Sequence, residues 1–328
     1  MHFVVSDRTN PYWNIAVEQW LVGHADGVVL YLWRNRRTVV IGQNQNPYSE
    51  VDLDALLADG GFLMRRRTGG GAVYHDDGNL NFSFVAPKSL YDQQRQFAVV
   101  QRAVESYGLR TILSGRNDIL VECGAPSVYA KFSGNAFSKG VGNDLHHGTI
   151  LIGGNMDDMQ RYLHPRPAKL QRHGVSSVRS RVVNLSELNP AVTADDLVPR
   201  LRDAFVREYA EFATCNETPS FADIAALPEV RRLYDEFASD EWLYARWRDF
   251  AAWRSAQFAW GGVEMSVSVE NGHIRDVQLA SDALDLAALD KARCLLTGAD
   301  VRVRPPSTGN VVTDDIVGMV YCGYGTQV

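Results

Sequence analysis

Cysteine is scarce in this chain, and the residues that occur are far apart. Cys123, Cys215, Cys294 and Cys322 form no C-x-x-C pair. Neither a disulfide framework nor a cysteine zinc site is therefore indicated. We expect four reduced thiols, as is usual for a cytoplasmic protein.

Long apolar runs and a strong net charge are also absent. No uninterrupted apolar segment approaches the length that spans a bilayer, and the N-terminus lacks a basic segment followed by an apolar one. The net charge of -6 gives no whole-molecule attraction to nucleic acid or to anionic membranes. We therefore expect a cytoplasmic protein with no nucleic-acid or membrane partner.

Several familiar catalytic motifs are missing. The chain contains no G-x-x-x-x-G-K-[ST] loop, no metalloprotease histidine spacing and no G-x-S-x-G. A G-x-G-x-x-G match fails because Tyr74 stands where the last glycine should be. These absences exclude the two common nucleotide-binding folds and give no support to metal-assisted hydrolysis or a serine nucleophile.

The chain has the size and composition of an ordinary globular protein. It has 328 residues, of which 45% are hydrophobic and 22% charged. This length predicts one large domain and a smaller one. Predicted strands and helices are mixed without regular alternation, which favours an α+β fold over a doubly wound sheet.

The first part of the chain combines a helix with β-rich runs. Asn10 and Pro11 are suited to begin a helix as N-cap and first residue. Residues 28–33 and 38–42 are β-rich and separated by four polar residues, which predicts an antiparallel hairpin. A short helix is expected near residues 51–58.

The middle of the chain holds a strand, a glycine loop and further strands. Residues 62–67 predict a strand that leads into Gly69, Gly70 and Gly71, and new strands follow at Ala72 and Leu80. A helix ending at Gly108 comes later, followed by strands near 119–122, 128–132 and 147–152 and a helix near 157–163. A strand, and not a helix, therefore follows the glycine loop, so this order does not match the strand, loop and helix of the common nucleotide-binding motifs.

The C-terminal part predicts a separate small domain. Thr193 with Asp196 resembles a capping box that begins a helix, which Pro199 should bend or interrupt. After a charged helical stretch, residues 263–269 alternate and Asn271-Gly272 supplies a two-residue turn to a return strand. Leucines at 286, 289 and 296 suggest a covering helix. We place the domain boundary between residues 246 and 247.

The densest chemical signal is the run from Arg65 to Asp76. Three consecutive glycines allow close backbone approach and can turn successive N–H groups toward an anion, and three arginines precede them. On a strand Arg66 points away from Arg65 and Arg67, so one or two of the arginines should face solvent. A basic hairpin loop without function remains the alternative interpretation.

Two further clusters contain polar residues among small ones. Lys131 lies in the segment 130–136 and is suited to reach a carboxylate or α-phosphate, although most lysines are simply solvated. Ser114 to Asp118 form a second polar cluster. His146 and His147 are adjacent on a predicted strand, so at most one of them lines a site and the two cannot chelate one metal ion.

Together these clusters resemble the lipoate-protein ligase A family over almost the whole chain. The agreeing segments are Asp7, 14–18, 32–35, 39–42, 44–47, the arginine and glycine loop, 114–118, Lys131, 133–134, 146–149, 176–182, Phe258 and 260–264. The resemblance implies a large domain of the biotin and lipoate ligase fold, similar to class II synthetases, with mixed sheets and flanking helices. It adds a small C-terminal α+β accessory domain, which gives predicted domains at 1–246 and 247–328.

The resemblance also implies an activity and its site. It implies an ATP-dependent, AMP-forming ligase that makes lipoyl-AMP and then lipoylates a lysine of an acceptor protein. Nucleotide contacts are implied at Arg66, Gly71, Ala72, Val73 and Tyr74, and Lys131 is the implied catalytic residue, touching both lipoate and the adenylate. The remaining site residues expected from these motifs are Thr68, Gly69, Gly70, His75, Asn117, Asp118, His147, Gly148, Thr149 and Arg179. Residues 176–182 are expected to close over the adenylate.

The implied substrates and partners follow from the same family. They are ATP with Mg²⁺, lipoic or octanoic acid, and the lipoyl domains of 2-oxoacid dehydrogenase E2 subunits and of the glycine cleavage H protein. Asp118 is a possible magnesium ligand or a partner of Lys131. The apolar lipoyl tail requires an apolar tunnel, for which Trp33, Val40 and Val73 are candidates, with ordinary core as the alternative for each.

Two alternative functions remain open at this point. Arg67 extends the arginine run to three, as in the related amidotransferase branch, so the protein could instead move lipoyl or octanoyl groups without ATP. A lipoate-binding protein without turnover is the other alternative, and the presence of Lys131 argues against it. The ATP-dependent ligase remains the main hypothesis.

Overall fold

The computed structural model describes residues 1–115, 117–124, 127–163, 182–212, 219–244, 247 and 254–321. The large domain is built on a seven-stranded sheet in the order β1-β2-β6-β10-β9-β8-β7. Its strands are β1 (His2–Val5), β2 (Val29–Trp33), β6 (Asn79–Pro87), β7 (Thr111–Ser114), β8 (Asp118–Glu122), β9 (Tyr129–Lys139) and β10 (Asn143–Leu151). Only β1 and β2 pair in parallel, and the other neighbours are antiparallel.

Helices cover both faces of this sheet. One face carries α4 (Gln93–Glu105) and α7 (Ala194–Glu208), and the other carries α1 (Pro11–His24), α8 (Phe221–Ala225) and α9 (Pro228–Phe237). Alternation along β2 supplies both cores: Leu30 and Leu32 face the first layer, whereas Tyr31 and Trp33 face the second. The mixed, mainly antiparallel sheet, with helices that do not alternate regularly with its strands, confirms the predicted α+β class.

A second sheet of three strands holds the glycine loop. Strand β3 (Thr38–Ile41) pairs in parallel with β4 (Phe62–Arg65) and antiparallel with β5 (Val73–His75). Residues 66–72 connect β4 to β5, so the predicted order of strand, glycine loop and strand is confirmed. Small helices α2 (Pro47–Glu50), α3 (Leu53–Ala58) and α5 (Met156–Tyr162) flank this sheet.

The predicted hairpin of residues 28–33 and 38–42 is wrong. The two strands exist, but β2 lies between β1 and β6 in the large sheet, whereas β3 belongs to the small one. Every residue of β2 is buried, so this strand needs neighbours on both sides, and two long-range strands supply them. The short connection through Arg37, whose φ is 31°, crosses between sheets instead of closing a hairpin.

Local signals at helix ends are confirmed. The Asn10 side chain accepts hydrogen bonds from the backbone N–H groups of Tyr12 and Trp13 at the start of α1. The Thr193 hydroxyl accepts a hydrogen bond from the backbone N–H of Asp196 at the start of α7, which is one half of the predicted capping box. Of the bend or interruption expected at Pro199, the interruption is wrong, because α7 continues through this exposed residue. The helix loses one backbone hydrogen bond there, since proline has no N–H to donate to the carbonyl of Asp195.

The C-terminal elements form their own sheet and core. Strands β11 (Arg254–Phe258), β12 (Gly261–Glu270) and β13 (His273–Ser281) are antiparallel, and α11 (Leu286–Leu296) and α12 (Val311–Tyr321) pack on them. Asn271 and Gly272 form the predicted turn, with φ values of 54° and 79°. Short helices α6 (Leu185–Leu188) and α10 (Asp240–Leu243) precede this region. The boundary between residues 246 and 247 stays a prediction.

The described part of the chain contains neither a helix suited to cross a membrane nor a disulfide bond. None of its helices has the length and apolar character needed to cross a membrane. Cys123 and Cys294 are free thiols, whereas Cys215 and Cys322, which we also expected to be reduced, lie outside the described residues.

Candidate active site

A cavity opens between the two sheets of the large domain, below the glycine loop. One wall is apolar and consists of Ile15, Trp33, Val40, Met64, Ala72 and Val73. The rest of the lining is largely polar or glycine and consists of Arg66, Gly70, Gly71, His75, Asn81, Asn117, Lys131, Gly134, Asn135, Ala136, His147, Gly148 and Thr149. Apolar walls with a few convergent polar groups are typical of a small-molecule site. Trp33, Val40 and Val73, the candidate tunnel residues, all lie here.

Lys131 reaches this cavity because of an irregularity in strand pairing. Asp118 pairs with Gly134 and Ile119 with Ser133, but Leu120 pairs with Lys131 because the register shifts by one residue. Without the shift Leu120 would pair with Phe132, and Lys131 would point to the opposite face. The shift therefore places Lys131 on the same face of the sheet as Asp118.

An ion pair and a glycine complete the surroundings of Lys131. Its Nζ lies 2.6 Å from Oδ1 of Asp118, and each side chain is 34% exposed. A Cβ at Gly134 would lie 2.8 Å from the same Nζ, so the absence of a side chain there leaves room for the ammonium group. The lysine lines the same cavity as Gly70 and Gly71.

Arg66 holds the glycine loop by its backbone carbonyls. Its guanidinium donates to the carbonyl oxygens of Gly69 at 2.7 Å and Gly71 at 2.9 Å, and to the hydroxyl of Thr68 at 3.0 Å. Gly70 has a φ of 95°, and a Cβ there would lie 2.8 Å from the Arg66 guanidinium. Only glycine combines this backbone conformation with such a close approach.

The neighbouring arginines have other partners. Arg65 is buried and donates to the carbonyl oxygens of Gly42, Gln43, Gln45, Trp242 and Leu243. Arg67 pairs with Glu236 at 2.5 Å and lies over the rings of Phe237 and Trp242. Arg67 is the one arginine of the three that is partly exposed, and it does not line the cavity.

Strand alternation separates the two adjacent histidines. His146 is fully buried between Gln96 and Asn135, and burial holds its pKa well below the usual value. His147 lines the cavity and bonds Thr68 on one side and Glu18 on the other. Of the two histidines, for which we expected at most one to line a site, His147 is the one that lines this cavity. The described residues contain no cluster of three His, Cys, Asp or Glu suited to a metal ion.

His75 and Asn117 support the polar side of the cavity. Burial, followed by the positive charge of Arg66, lowers the pKa of His75 to about 3, so its ring is neutral. Its Nδ1 faces the amide of Asn35 at 3.3 Å. The Asn117 side chain donates to the Asn135 carbonyl at 2.8 Å, and the Asn135 side chain returns a bond to Asn117. These bonds fix the strand edges around Lys131.

Four of the predicted site residues lie beside the cavity rather than on its surface. Thr68 is buried behind Arg66, and Gly69 contacts the accessory domain. Tyr74 points to the other face of β5, where it packs near Tyr162. Asp118 reaches the site through its ion pair with Lys131. Arg179 and the predicted closing segment up to residue 181 lie outside the described residues.

The accessory domain touches the glycine loop directly. The backbone N–H of Gly70 donates to the carbonyl of Ala283 at 3.2 Å, and that of Ser281 donates to the carbonyl of Asn44 at 2.8 Å. A Cβ at Gly69 would lie 2.2 Å from the Ala283 oxygen. One of the glycine N–H groups that were predicted to turn toward an anion is therefore bonded to the C-terminal domain in this structure.

The sequence-based prediction missed several cavity residues, including Ile15, Met64, Asn81 and Asn135. It also assigned no role to Glu18, which is buried under the site. The sequence feature that could have drawn attention to Glu18 is its position among the apolar residues of α1, since carboxylates are rarely buried without partners. The partner itself, His147, is distant in sequence.

The fold and the site define a class of protein, and comparisons with known proteins agree. Residues 10–206 match the family described as lipoyl protein ligase A/B catalytic domain, and residues 248–304 match the bacterial lipoate protein ligase C-terminus. The lipoate-protein ligase A of Psychrobacter cryohalolentis is 38% identical over 297 residues, covering 88% of this chain and 86% of the relative. The protein is an enzyme of the ligase class.

Solved structures extend the likeness to both domains. A structure of P. falciparum LipL1 in complex with lipoate has a TM-score of 0.82 and 27% identity, covering 98% of this chain and 99% of that one. A bi-partite lipoate protein ligase of Thermoplasma acidophilum, studied with its E2 lipoyl domain, has a TM-score of 0.64 and 26% identity, covering 74% of this chain and 95% of that one. A lipoate-protein ligase A bound with ATP has a TM-score of 0.58 and 26% identity, covering 74% of this chain and 97% of that one. The chain belongs to the lipoate-protein ligase A family.

Proposed function

We propose that this ligase activates lipoate with ATP to lipoyl-AMP and pyrophosphate, and then transfers the lipoyl group to a lysine of a lipoyl domain. The observation that carries the proposal is that one cavity is lined both by the apolar wall and by Lys131 with the glycine loop. An acid with an apolar tail and a nucleotide phosphate fit these two kinds of lining. The relatives solved with lipoate and with ATP support the same pair of substrates.

The first half-reaction joins two anions. A carboxylate oxygen of lipoate attacks the α-phosphorus of ATP, the bond to the pyrophosphate oxygen breaks, and pyrophosphate leaves. Lys131 and the loop held by Arg66 would offset the repulsion between carboxylate and phosphate, since fixed cations and N–H dipoles act strongly in a water-poor site. Lys131 is therefore the proposed catalytic residue, touching both the acyl carboxylate and the phosphate.

Magnesium is proposed to enter with ATP. Asp118 is paired with Lys131, and one carboxylate does not make a resident metal site by itself. Bound to the phosphates of ATP, the ion would neutralise the charge of the departing pyrophosphate. A role of Asp118 as its ligand stays a prediction.

The second half-reaction needs no covalent enzyme nucleophile. The acceptor lysine amine attacks the acyl carbon of lipoyl-AMP, AMP leaves with its oxygen, and the nitrogen loses a proton. Neither Cys123 nor Cys294, the two described cysteines, lines the cavity. We propose lipoyl domains as acceptors, namely E2 subunits and the glycine cleavage H protein, in keeping with the archaeal relative studied with its E2 domain.

An ATP-independent transferase is the second candidate on the same fold. Arg67 motivated it, but this side chain binds Glu236 outside the cavity. The position of Arg67 therefore gives no reason to expect impaired activation by ATP.

A pyrophosphate-release assay tests the proposal. Protein and ATP are incubated with lipoate, octanoate or biotin in parallel, and an apo-lipoyl domain is then added. We expect pyrophosphate with lipoate, none with biotin, and lipoylated acceptor after the addition. Transfer from an acylated carrier protein in the absence of ATP, with no pyrophosphate from any acid, would instead support the transferase.

A further inference from the structure

Glu18 is a buried carboxylate under the cavity. It lies in α1, is 3% exposed and has no lysine or arginine within ion-pair distance among the described residues. A buried carboxylate is costly unless hydrogen bonds compensate for the lost water. Its hydrogen-bond partners therefore indicate what the carboxylate stabilises.

A first chain of donors connects Glu18 to the glycine loop. His147 Nδ1 lies 2.9 Å from Glu18 Oε1, and His147 Nε2 lies 2.9 Å from the hydroxyl of Thr68. Arg66 Nε donates to the same hydroxyl at 3.0 Å. Every donor has an acceptor when Arg66 donates to Thr68, Thr68 to His147 and His147 to Glu18. The chain ends on the arginine that holds the carbonyls of Gly69 and Gly71.

A second chain connects the same carboxylate oxygen to the apolar wall. The hydroxyl of Ser83 donates to Glu18 Oε1 at 2.5 Å, and Trp33 Nε1 donates to Ser83 at 2.9 Å. The Trp33 ring lines the cavity. One carboxylate thus connects to Trp33 in the apolar wall and to Arg66 in the polar part of the lining.

Charge supports this arrangement. Arg66 is 7% exposed, and its hydrogen-bond acceptors are neutral oxygens of Val40, Thr68, Gly69 and Gly71. Burial lowers the pKa of Arg66 to about 10, and the negative charge of Glu18 acts in the opposite direction. Glu18 therefore stabilises the guanidinium without covering it, because His147 and Thr68 lie between them.

We propose that Glu18 is a positioning residue that fixes two parts of the cavity lining, the glycine loop through His147, Thr68 and Arg66, and the apolar wall through Ser83 and Trp33. This inference rests on the proposed function for the identity of the two ligands. The glycine loop then serves ATP and the Trp33 wall serves lipoate. The two branches can be tested separately, since Thr68 belongs only to the first and Ser83 only to the second.

Four variants and a control test the branches. Thr68→Val cuts the loop branch, Thr68→Ser restores its hydroxyl, Ser83→Ala cuts the wall branch, and Glu18→Gln removes the charge common to both. The control is Asp144→Asn, a buried carboxylate on the same strand as His147, whose partner is the amide of Gly140. Dissociation constants of ATP and of lipoate are measured separately by calorimetry, together with thermal midpoints and lipoate-dependent pyrophosphate exchange.

We expect Thr68→Val to weaken ATP binding about 10-fold and Ser83→Ala to weaken lipoate binding about 5-fold, each with little effect on the other ligand. Glu18→Gln should weaken both, and Thr68→Ser and Asp144→Asn should bind like the wild type. Unchanged binding in a folded Glu18→Gln protein overturns the inference, as does equal weakening of both ligands by each single-branch variant. Binding with the expected pattern but without pyrophosphate exchange in the wild type would reject the proposed function alone.

Discussion

The Nζ of Lys131 lies 2.6 Å from Oδ1 of Asp118, on two strands whose register shift turns both side chains to one face. The ion pair holds the lysine at the cavity before any anion is bound. Both side chains remain partly exposed, so the pair is screened by water and can be exchanged for a substrate oxygen at small cost. Lys131 is thus positioned in advance and still available.

Replacement of Lys131 by methionine should abolish most of the adenylation activity. The variant keeps the length of the side chain but removes the cation, and loss of one such preorganised charge costs about 100-fold or more in rate. Lipoate-dependent pyrophosphate exchange is the measurement. Lys139→Met, at the exposed end of the same strand, is the matched control, and a Lys131→Met protein as active as this control would contradict the assignment.

Gly69→Ala should loosen the accessory domain from the glycine loop. Its Cβ would lie 2.2 Å from the Ala283 oxygen and 2.9 Å from the Leu284 Cα, and backbone atoms cannot move aside as a side-chain end can. Hydrogen exchange should show faster labelling of the amides of Ser281 and Gly70, with the strands of the large sheet unchanged. Gly23→Ala, where nothing lies within 4 Å of the new Cβ, should leave exchange at both amides as in the wild type.

His75 should make the fold less stable as the pH falls below the pKa that this histidine has in the unfolded chain. Its folded pKa is lowered to about 3 from 6.5, so the unfolded chain binds more protons between these values and unfolding becomes easier with falling pH. The free energy of unfolding should drop by up to about 1.4 kcal/mol per pH unit below pH 6.5 from this residue. Urea unfolding from pH 7 to pH 5 measures the slope.

His75→Gln should make that slope shallower, even if the variant is less stable at pH 7. Exposed His273 provides the control substitution, and His273→Gln should keep the wild-type slope. Equal slopes in wild type and His75→Gln would show that His75 is not the group responsible.

Val73→Ala should weaken lipoate binding and leave ATP binding unchanged. The change removes two methyl groups from the apolar wall, worth roughly 0.8 kcal/mol each when fully covered by ligand, so the KM for lipoate should rise up to about 15-fold. Octanoate should be affected similarly, because its chain would touch the same wall. Val303→Ala, at a position 65% exposed in the accessory domain, should change neither constant; a rise in the ATP constant alone would place Val73 on the nucleotide side.

Some elements were predictable because their causes are local. The Asn10 cap, the Gly108 stop and the Asn271-Gly272 turn depend on residues within a few positions of one another. The order of strand, glycine loop and strand follows from composition in the same way. Strand partners do not, and the predicted hairpin between residues 28–33 and 38–42 failed because both strands found partners far along the chain.

The sequence by itself determined the family, the α+β class and most of the residues that meet in the cavity, because glycines, arginines and a lysine in fixed motifs restrict the chemistry available. Only the tertiary structure decided that Arg66 holds the loop, that Arg67 lies outside the site and that Glu18 lies beneath it. It also decided the side on which Lys131 emerges, since a one-residue register shift reverses the facing of a strand. Such pairings depend on long-range packing, which local sequence patterns do not contain.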